Sequence, residues 1–342
     1  VGGGFAVGWN VRPGPALTGP PGTITLPDAR ASLFYFPFGM DEPTAAGRAV
    51  GADILRDLGG DPQGCRDALN RLAPLVDTEN FGGEYPSLQW FCTFRLADAE
   101  GQQRMRTESA DAERFLRYFE AEGFAPMRRY LAYKYHLPGA DPPGSEMHWV
   151  DEFLRFNSPA RADWEHTEAI LDLLGLRSGM SVADIGAGSG YFAFRFADAV
   201  GQDGRVYAVE LDPSHLRYLR EVKSAEARAT LEVVEGTGNA TGLPAASVDL
   251  VFLCSTYQAI YGAVREADRT AWIESVKAAM RPGARLVIAD NVPDGEVSDA
   301  PPYRGISISK HLVAAQLQAY GFTLVSEHQF IPQRYLLVFE LP

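Results

Sequence analysis

MSVADIGAGSGYFAFRFADAVGQDGRVYAVELD, residues 180 to 212, reads as one β-loop-α-β unit, and the fold of the chain follows from it. Ser181 to Ile185 is a short apolar, β-branched run of the kind a buried parallel strand requires, and it ends at glycines 186, 188 and 190. Phe192, Phe196 and Val200 then recur at helical spacing as far as Gly201, and Arg205 to Glu210 is a second apolar strand with an acid at its tip. Glycine tolerates backbone angles closed to other residues and lets a ligand approach the main chain, while the helix start behind it offers free N–H groups. Glu210 stands where a carboxylate can accept both hydroxyls of a ribose. The spacing narrows the choice of ligand. The run is G-x-G-x-G with Tyr191 in sixth place, not the G-x-G-x-x-G of a dinucleotide site, and no Lys-Ser/Thr pair makes a phosphate loop.

DIGAGSGY followed by VYAVELD resembles the class I, Rossmann-like S-adenosylmethionine-dependent methyltransferases, over roughly residues 160 to 342. The resemblance implies an α/β fold with a seven-stranded Rossmann-like sheet in the C-terminal half, and S-adenosyl-L-methionine as cofactor with S-adenosyl-L-homocysteine as product. It also implies roles for residues. Asp184 and the loop Gly186, Ala187, Gly188 and Gly190 would lie along the methionine moiety, Glu210 would hold the ribose, and Leu211 would flank the adenine. Gly238-Asn239-Ala240 stands where the family often has Gly-Asp-Ala, and the Asn239 carbonyl can accept a hydrogen bond from the adenine amino group as an Asp would. Tyr191 and Ser255, at the carboxyl ends of strands, complete the set assigned to the cofactor.

Further strands are expected at Leu231 to Glu235, Ser247 to Cys254 and Ala284 to Asp290, with Phe322 to Glu327 and Arg334 to Phe339 closing the sheet as an antiparallel pair. Reacting groups in open α/β sheets gather beyond the carboxyl ends of the strands. Tyr191, Ser255, Thr256, Tyr257, Gln258, Asp290, Asn291 and His311 fall there, and Tyr257 and His311 are the residues expected to face the transferred methyl group, His311 as a base. The His-His that often follows a Tyr in related bacterial sequences is absent, since Gln258 and Ala259 follow Tyr257. DAPPY, residues 299 to 303, resembles the Asp/Asn-Pro-Pro-Tyr of amino-directed nucleic-acid methyltransferases but follows the fifth strand instead of the fourth.

The other half of the chain carries no catalytic motif. Residues 1 to 30 are rich in Gly and Pro, with one expected strand at Thr23 to Leu26, and SLFYFPFG at 32 to 39 holds aromatics that must pack on something, a core or a pocket wall. Helical spacing marks Pro43 to Leu58, a run from Asp61-Pro62 to Val76, Asp111 to Phe119 and Pro126 to His136, while Tyr85 to Leu96 reads as strand or helix. Prolines and glycines at 137 to 146 mark a linker. Beyond it a helix is expected from Ser158 to Leu174, with Arg155, Phe156 and Trp164 near the cofactor. The expected division is a mainly helical N-terminal domain, residues 1–140, serving as substrate lid or oligomerisation module, and a methyltransferase domain, residues 141–342. A homodimer through the first domain is the assembly this would allow.

A chain of 342 residues with a net charge of −13 lacks the basic surface that nucleic acid or an anionic membrane requires. Cys65, Cys92 and Cys254 have no metal-ligand spacing, and the six histidines do not cluster, so no metal site and a reducing, cytoplasmic setting are expected. These readings converge on methyl transfer to a small-molecule acceptor, most simply an oxygen nucleophile. The alternatives are a protein or peptide carboxyl methyltransferase, since GSGY and VYAVE also resemble the isoaspartyl repair enzymes, and a non-methyl cofactor-binding enzyme or module.

Overall fold

A computed structural model describes residues 34–35, 43–76, 82–138, 145–293 and 307–342; the readings at 23–26 and 299–303, and most of 32–39, lie outside them. After the two-residue strand β1 (Phe34–Tyr35) come helices α1 (Ala45–Leu58), α2 (Gln63–Val76), α3 (Tyr85–Leu96), α4 (Ala99–Thr107), α5 (Ala110–Glu120) and α6 (Ala125–Lys134). Local chemistry sets their starts. The side chains of Thr44, Asp98 and Ser109 each accept a hydrogen bond from the backbone N–H three residues on. The 85–96 segment is a helix, with Pro86 in its first turn. The helix α4 was not foreseen.

Three helices lead into the sheet: α7 (Ser145–Phe156), α8 (Arg161–Trp164) and α9 (Thr167–Leu174). The single helix expected from Ser158 is thus two, broken at His166, whose φ is 52°. The break leaves Glu165 turned into the protein, only 1% exposed, between two arginines. The α/β part then runs β2 (Ser181–Ile185), α10 (Tyr191–Val200), β3 (Arg205–Glu210), α11 (Pro213–Ala225), β4 (Leu231–Glu235), β5 (Val248–Cys254), α12 (Tyr257–Ala263), α13 (Glu266–Ala279), β6 (Met280–Asn291), β7 (Ser307–Ile308), α14 (Lys310–Ala319), β8 (Thr323–Ile331) and β9 (Arg334–Glu340).

Seven strands form one sheet in the order β4-β3-β2-β5-β6-β9-β8, in which β9 alone runs antiparallel to its neighbours, while β1 pairs separately with β7. This is the Rossmann-like methyltransferase sheet expected from the sequence. Strand alternation divides its core: Val182, Leu250, Phe252 and Val287 face one layer, and Ala183, Val251, Leu253 and Ile288 the other. The second layer is covered by α13 and α14, through residues such as Trp272, Ile273, Val313 and Leu317. The first is covered by α10 and α11, and its buried cluster continues through α7 into α1, α3 and α5. Arg114 of α5 grips Glu226 beyond α11 with two bonds of 2.8 and 2.7 Å, and Arg195 of α10 pairs with Asp111 of α5. One hydrophobic core therefore joins the N-terminal helices to the sheet. Among the described residues no helix is long and apolar enough to cross a membrane.

Candidate active site

The turn after β2 is built from main-chain bonds. Gly186 and Ala187 donate to the Val209 carbonyl at 2.9 and 3.1 Å, and Gly190 to the Ala187 carbonyl at 2.9 Å, which locks the turn against β3 and starts α10. Two of its glycines are required for different reasons. A Cβ on Gly186 would lie 2.2 Å from the Thr256 hydroxyl, so the loop after β5 fills that side. Gly188, with φ 55°, faces open space, with no atom within 4 Å of where a Cβ would be.

Glu210, at the tip of β3, points into this turn. One carboxylate oxygen accepts from Gly188 N–H at 2.8 Å; the other accepts from Leu211 and Asp212 N–H at 2.6 and 3.0 Å. Three backbone donors fix the group and still leave acceptor capacity on it. Asp184 is buried beside the turn, and its Oδ2 has no hydrogen-bond partner. Burial pushes its carboxyl up to about 7, against the pull of Arg161. A buried carboxylate with an unused oxygen, an open cradle over Gly188 and a fixed acid at the strand tip fit an adenosine ligand with a cationic tail. Leu211 is 62% exposed and offers apolar surface next to Glu210. Gly238 and Asn239 lie exposed after β4, where the Asn239 side-chain carbonyl accepts from the Thr237 hydroxyl at 2.9 Å.

A second, ionic layer occupies the carboxyl ends of β5, β6 and the start of β9. Glu165, from the broken helix, accepts from Arg161 at 3.0 Å through one oxygen and from Arg334 through the other. Arg334, 2% exposed, also donates to the Ser255 hydroxyl, to Asn291 Oδ1 at 3.0 Å and to Cys254 Sγ at 2.9 Å. Gln258 bridges Asn291 and the Ser255 carbonyl, and Asp290 accepts from the backbone N–H of Gln258 and Asn291. Burial pushes Asp290 up to about 7 and the Cys254 thiol up to about 12. Ser255 itself has φ 52°, an unusual conformation for a residue with a side chain, held by these bonds. The sequence placed Ser255, Gln258, Asp290 and Asn291 at this end of the sheet but not the ionic group that binds them. Arg161 and Glu165 stand one turn apart across α8, Arg334 opens β9, and only folding brings Arg334 to them.

Tyr191 and Tyr257 are placed differently from the expectation. The Tyr191 ring lies between the Arg161 and Arg195 guanidiniums, 4.1 and 3.8 Å from its centroid, and its hydroxyl is shared with Thr167, so its side chain packs beneath the turn. Tyr257 is wholly buried among Leu253, Trp272, Ile273 and Leu317, with its hydroxyl bonded to Gln316. An apolar ring placed there packs the second core layer instead of meeting a methyl acceptor. His311 is exposed in the first turn of α14. Tyr335, opposite Asp290 in the sheet, holds the Ile308 carbonyl at 2.9 Å, which sets that turn at the carboxyl end of the strands. At the opposite end, a shallow depression runs past Asp249 and Arg285, but Asp249 pairs with Arg281 and Arg285 bonds the Leu174 carbonyl.

Residues 182–283 match a family model described as a methyltransferase domain. A protein-L-isoaspartate O-methyltransferase of Aeropyrum pernix is 45% identical over 76 residues, 22% of this chain and 29% of that protein. The ubiquinone/menaquinone biosynthesis C-methyltransferase UbiE of Klebsiella pneumoniae is 30% identical over 121 residues, 35% of this chain and 46% of that protein. The chain thus spans less than half the length of either relative. A solved SAM-dependent methyltransferase from Aquifex aeolicus superposes with a TM-score of 0.45 at 23% identity, covering 53% of this chain and 93% of that one.

Proposed function

We propose that this chain, which belongs through its C-terminal half to the class I S-adenosylmethionine-dependent methyltransferase superfamily, transfers the methyl group of that cofactor to an oxygen nucleophile on a small molecule. The observation that carries the reading is the Glu210 carboxylate, fixed by three backbone N–H groups beside the open cradle of Gly188. Glu210 would hold the ribose, Leu211 and Asn239 would border the adenine, and Asp184 with the turn from Gly186 to Gly190 would hold the methionine end. When bound, the cofactor supplies an electrophilic methyl group on a sulfonium. Displacement there needs nucleophile, carbon and leaving sulfur in line, so the protein's task is orientation and exclusion of water.

Arg161 of α8 reaches the Tyr191 ring behind the turn and Cys254 at the end of β5, and Phe156 and Trp164 pack on its guanidinium; this aromatic cluster beside the site supports a small acceptor. The N-terminal helices support that cluster through α7 and so act as part of the acceptor lid. An acceptor hydroxyl must lose its proton as the methyl arrives, and His311, at the same end of the sheet, is the histidine we assign to it. Tyr257 is not carried forward in this role. The 45% identity to an isoaspartate methyltransferase favours a second reading, a peptide carboxyl as acceptor. Release of S-adenosylhomocysteine, measured against phenols, small carboxylates, amines, thiols and an isoaspartyl peptide, decides between them. Turnover with a phenol or small carboxylate is expected; turnover with the peptide alone establishes the second reading, and turnover only with amines or thiols refutes both.

A further inference from the structure

We infer that Glu152 and His215 form a positioning pair that holds Glu210 for the cofactor ribose, making α7, which lies outside the matched methyltransferase domain, part of the nucleoside site. The inference rests on the reading of Glu210 given above. His215 sits in the first turn of α11, where the Asp212 carboxylate accepts its backbone N–H at 3.2 Å and fixes the ring's position relative to β3. Its Nδ1 is 3.7 Å from Glu210 Oε2, the same oxygen that accepts from Gly188. Its Nε2 is 3.0 Å from Glu152 Oε2 on α7. Trp149, one turn earlier on α7, packs on the imidazole with ring centroids 5.2 Å apart, and the His215 side chain is only 12% exposed. Immediately after α7, Asn157 accepts from the Ser189 hydroxyl of the glycine turn. The helix therefore touches the site on two sides.

The chemistry of the pair is electrostatic. Burial works against a charge on His215, but Glu152, Glu210 and Asp212 outweigh it and raise the imidazole above its ordinary value. His148 faces the other oxygen of Glu152 at 3.5 Å and is the further titratable group on α7 at this point. An imidazolium between Glu152 and Glu210 holds the Glu210 carboxylate toward Gly188, with lone pairs left for hydroxyl groups. Once the imidazolium loses its proton, Glu210 loses the cation paired with it and keeps its backbone bonds. Cofactor affinity should then fall as pH rises through the His215 titration. Asp184 titrates in the same region with the opposite sign, since its ionised form favours a cationic ligand.

Two measurements on the full chain test this. NMR of imidazole-labelled, cofactor-free protein, with His215 assigned by His215→Gln, gives the titration of that ring; calorimetry from pH 5.5 to 8.5 gives the dissociation constant of S-adenosylhomocysteine. Expected are a His215 midpoint above that of free imidazole side chains and a loss of affinity of about three- to tenfold across it. Glu152→Gln should lower the midpoint and move the fall in affinity with it. His215→Gln should bind weakly at pH 6 and retain only the opposing slope of Asp184. Binding that ignores the His215 titration, or a midpoint unmoved by Glu152→Gln, overturns the pair. No binding at any pH overturns the nucleoside reading itself.

Discussion

Replacing Glu210 by Gln changes almost no volume and asks the turn to work without a charge. In the structure the carboxylate accepts three backbone N–H bonds, and the amide can satisfy only the two from Leu211 and Asp212 with its oxygen. Its NH2 would then face Gly188 N–H, donor against donor. Hydrogen bonds to a charged group are worth about 1.5–3 kcal/mol, and one tenfold step in affinity is about 1.4 kcal/mol. S-adenosylhomocysteine should therefore bind about 10- to 150-fold more weakly to Glu210→Gln in calorimetry. The fold should survive, because the substitution disturbs one bond at the edge of the core, and a melting temperature lowered by a few degrees is the expected cost. Affinity within twofold of wild type, in a variant that melts normally, would refute the assignment of Glu210 to the ligand.

Gly186→Ala and Gly188→Ala should separate folding from binding. The first drives a methyl group into Thr256 and should destabilise the protein strongly in thermal melts, whereas the second meets open space, costs about 1 kcal/mol of backbone strain, and should chiefly obstruct the ligand. Asp184 has a folded-state pKa raised from 3.8 to about 7, so its contribution favours folding below the unfolded value and is lost as pH rises through 7. Asp184→Asn should accordingly raise the melting temperature of the cofactor-free protein at pH 8, flatten its dependence between pH 4 and 8, and weaken S-adenosylhomocysteine binding; an unchanged pH profile would remove Asp184 from the account. Arg334→Met leaves Glu165 and Asn291 short of a buried partner and should cost about 3–5 kcal/mol in denaturant unfolding, with part of the loss recovered in the double variant Arg334→Met, Glu165→Met. Because a single hydrophobic cluster runs from α1 to α11, calorimetric unfolding should show one transition; two resolved transitions would mean that the N-terminal helices fold apart from the sheet.

The β2 turn, α10 and β3 were legible in sequence because their chemistry is local: glycines permit the turn, the helix begins where they end, and the acid sits at a fixed distance downstream. The antiparallel closing pair was expected from the resemblance, though its first strand runs past Glu327 to Ile331. What lay beyond reach depends on contacts between distant elements. Glu165 and Arg334 are 169 residues apart and carry no shared pattern, and nothing in the run around His215 announces that Glu152 will meet it. Tyr257 shows the converse error. Its position just past a strand end suggested a reacting group, but the unforeseen helix α12 begins there and turns the ring into the core. The break at His166 was hidden because no Gly or Pro marks it; the positive φ of His166 alone separates the two helices.

The central claim, that the turn after β2 and Glu210 form a site for an adenosine ligand without a pyrophosphate, is tested most directly by titrating the full chain in parallel with S-adenosylmethionine, S-adenosylhomocysteine and NAD in a calorimeter. One site per chain is expected, with affinity on the order of micromolar for the first two and no saturable heat with NAD. Binding of NAD at comparable affinity, or no binding of either sulfur ligand by correctly folded protein, would contradict it.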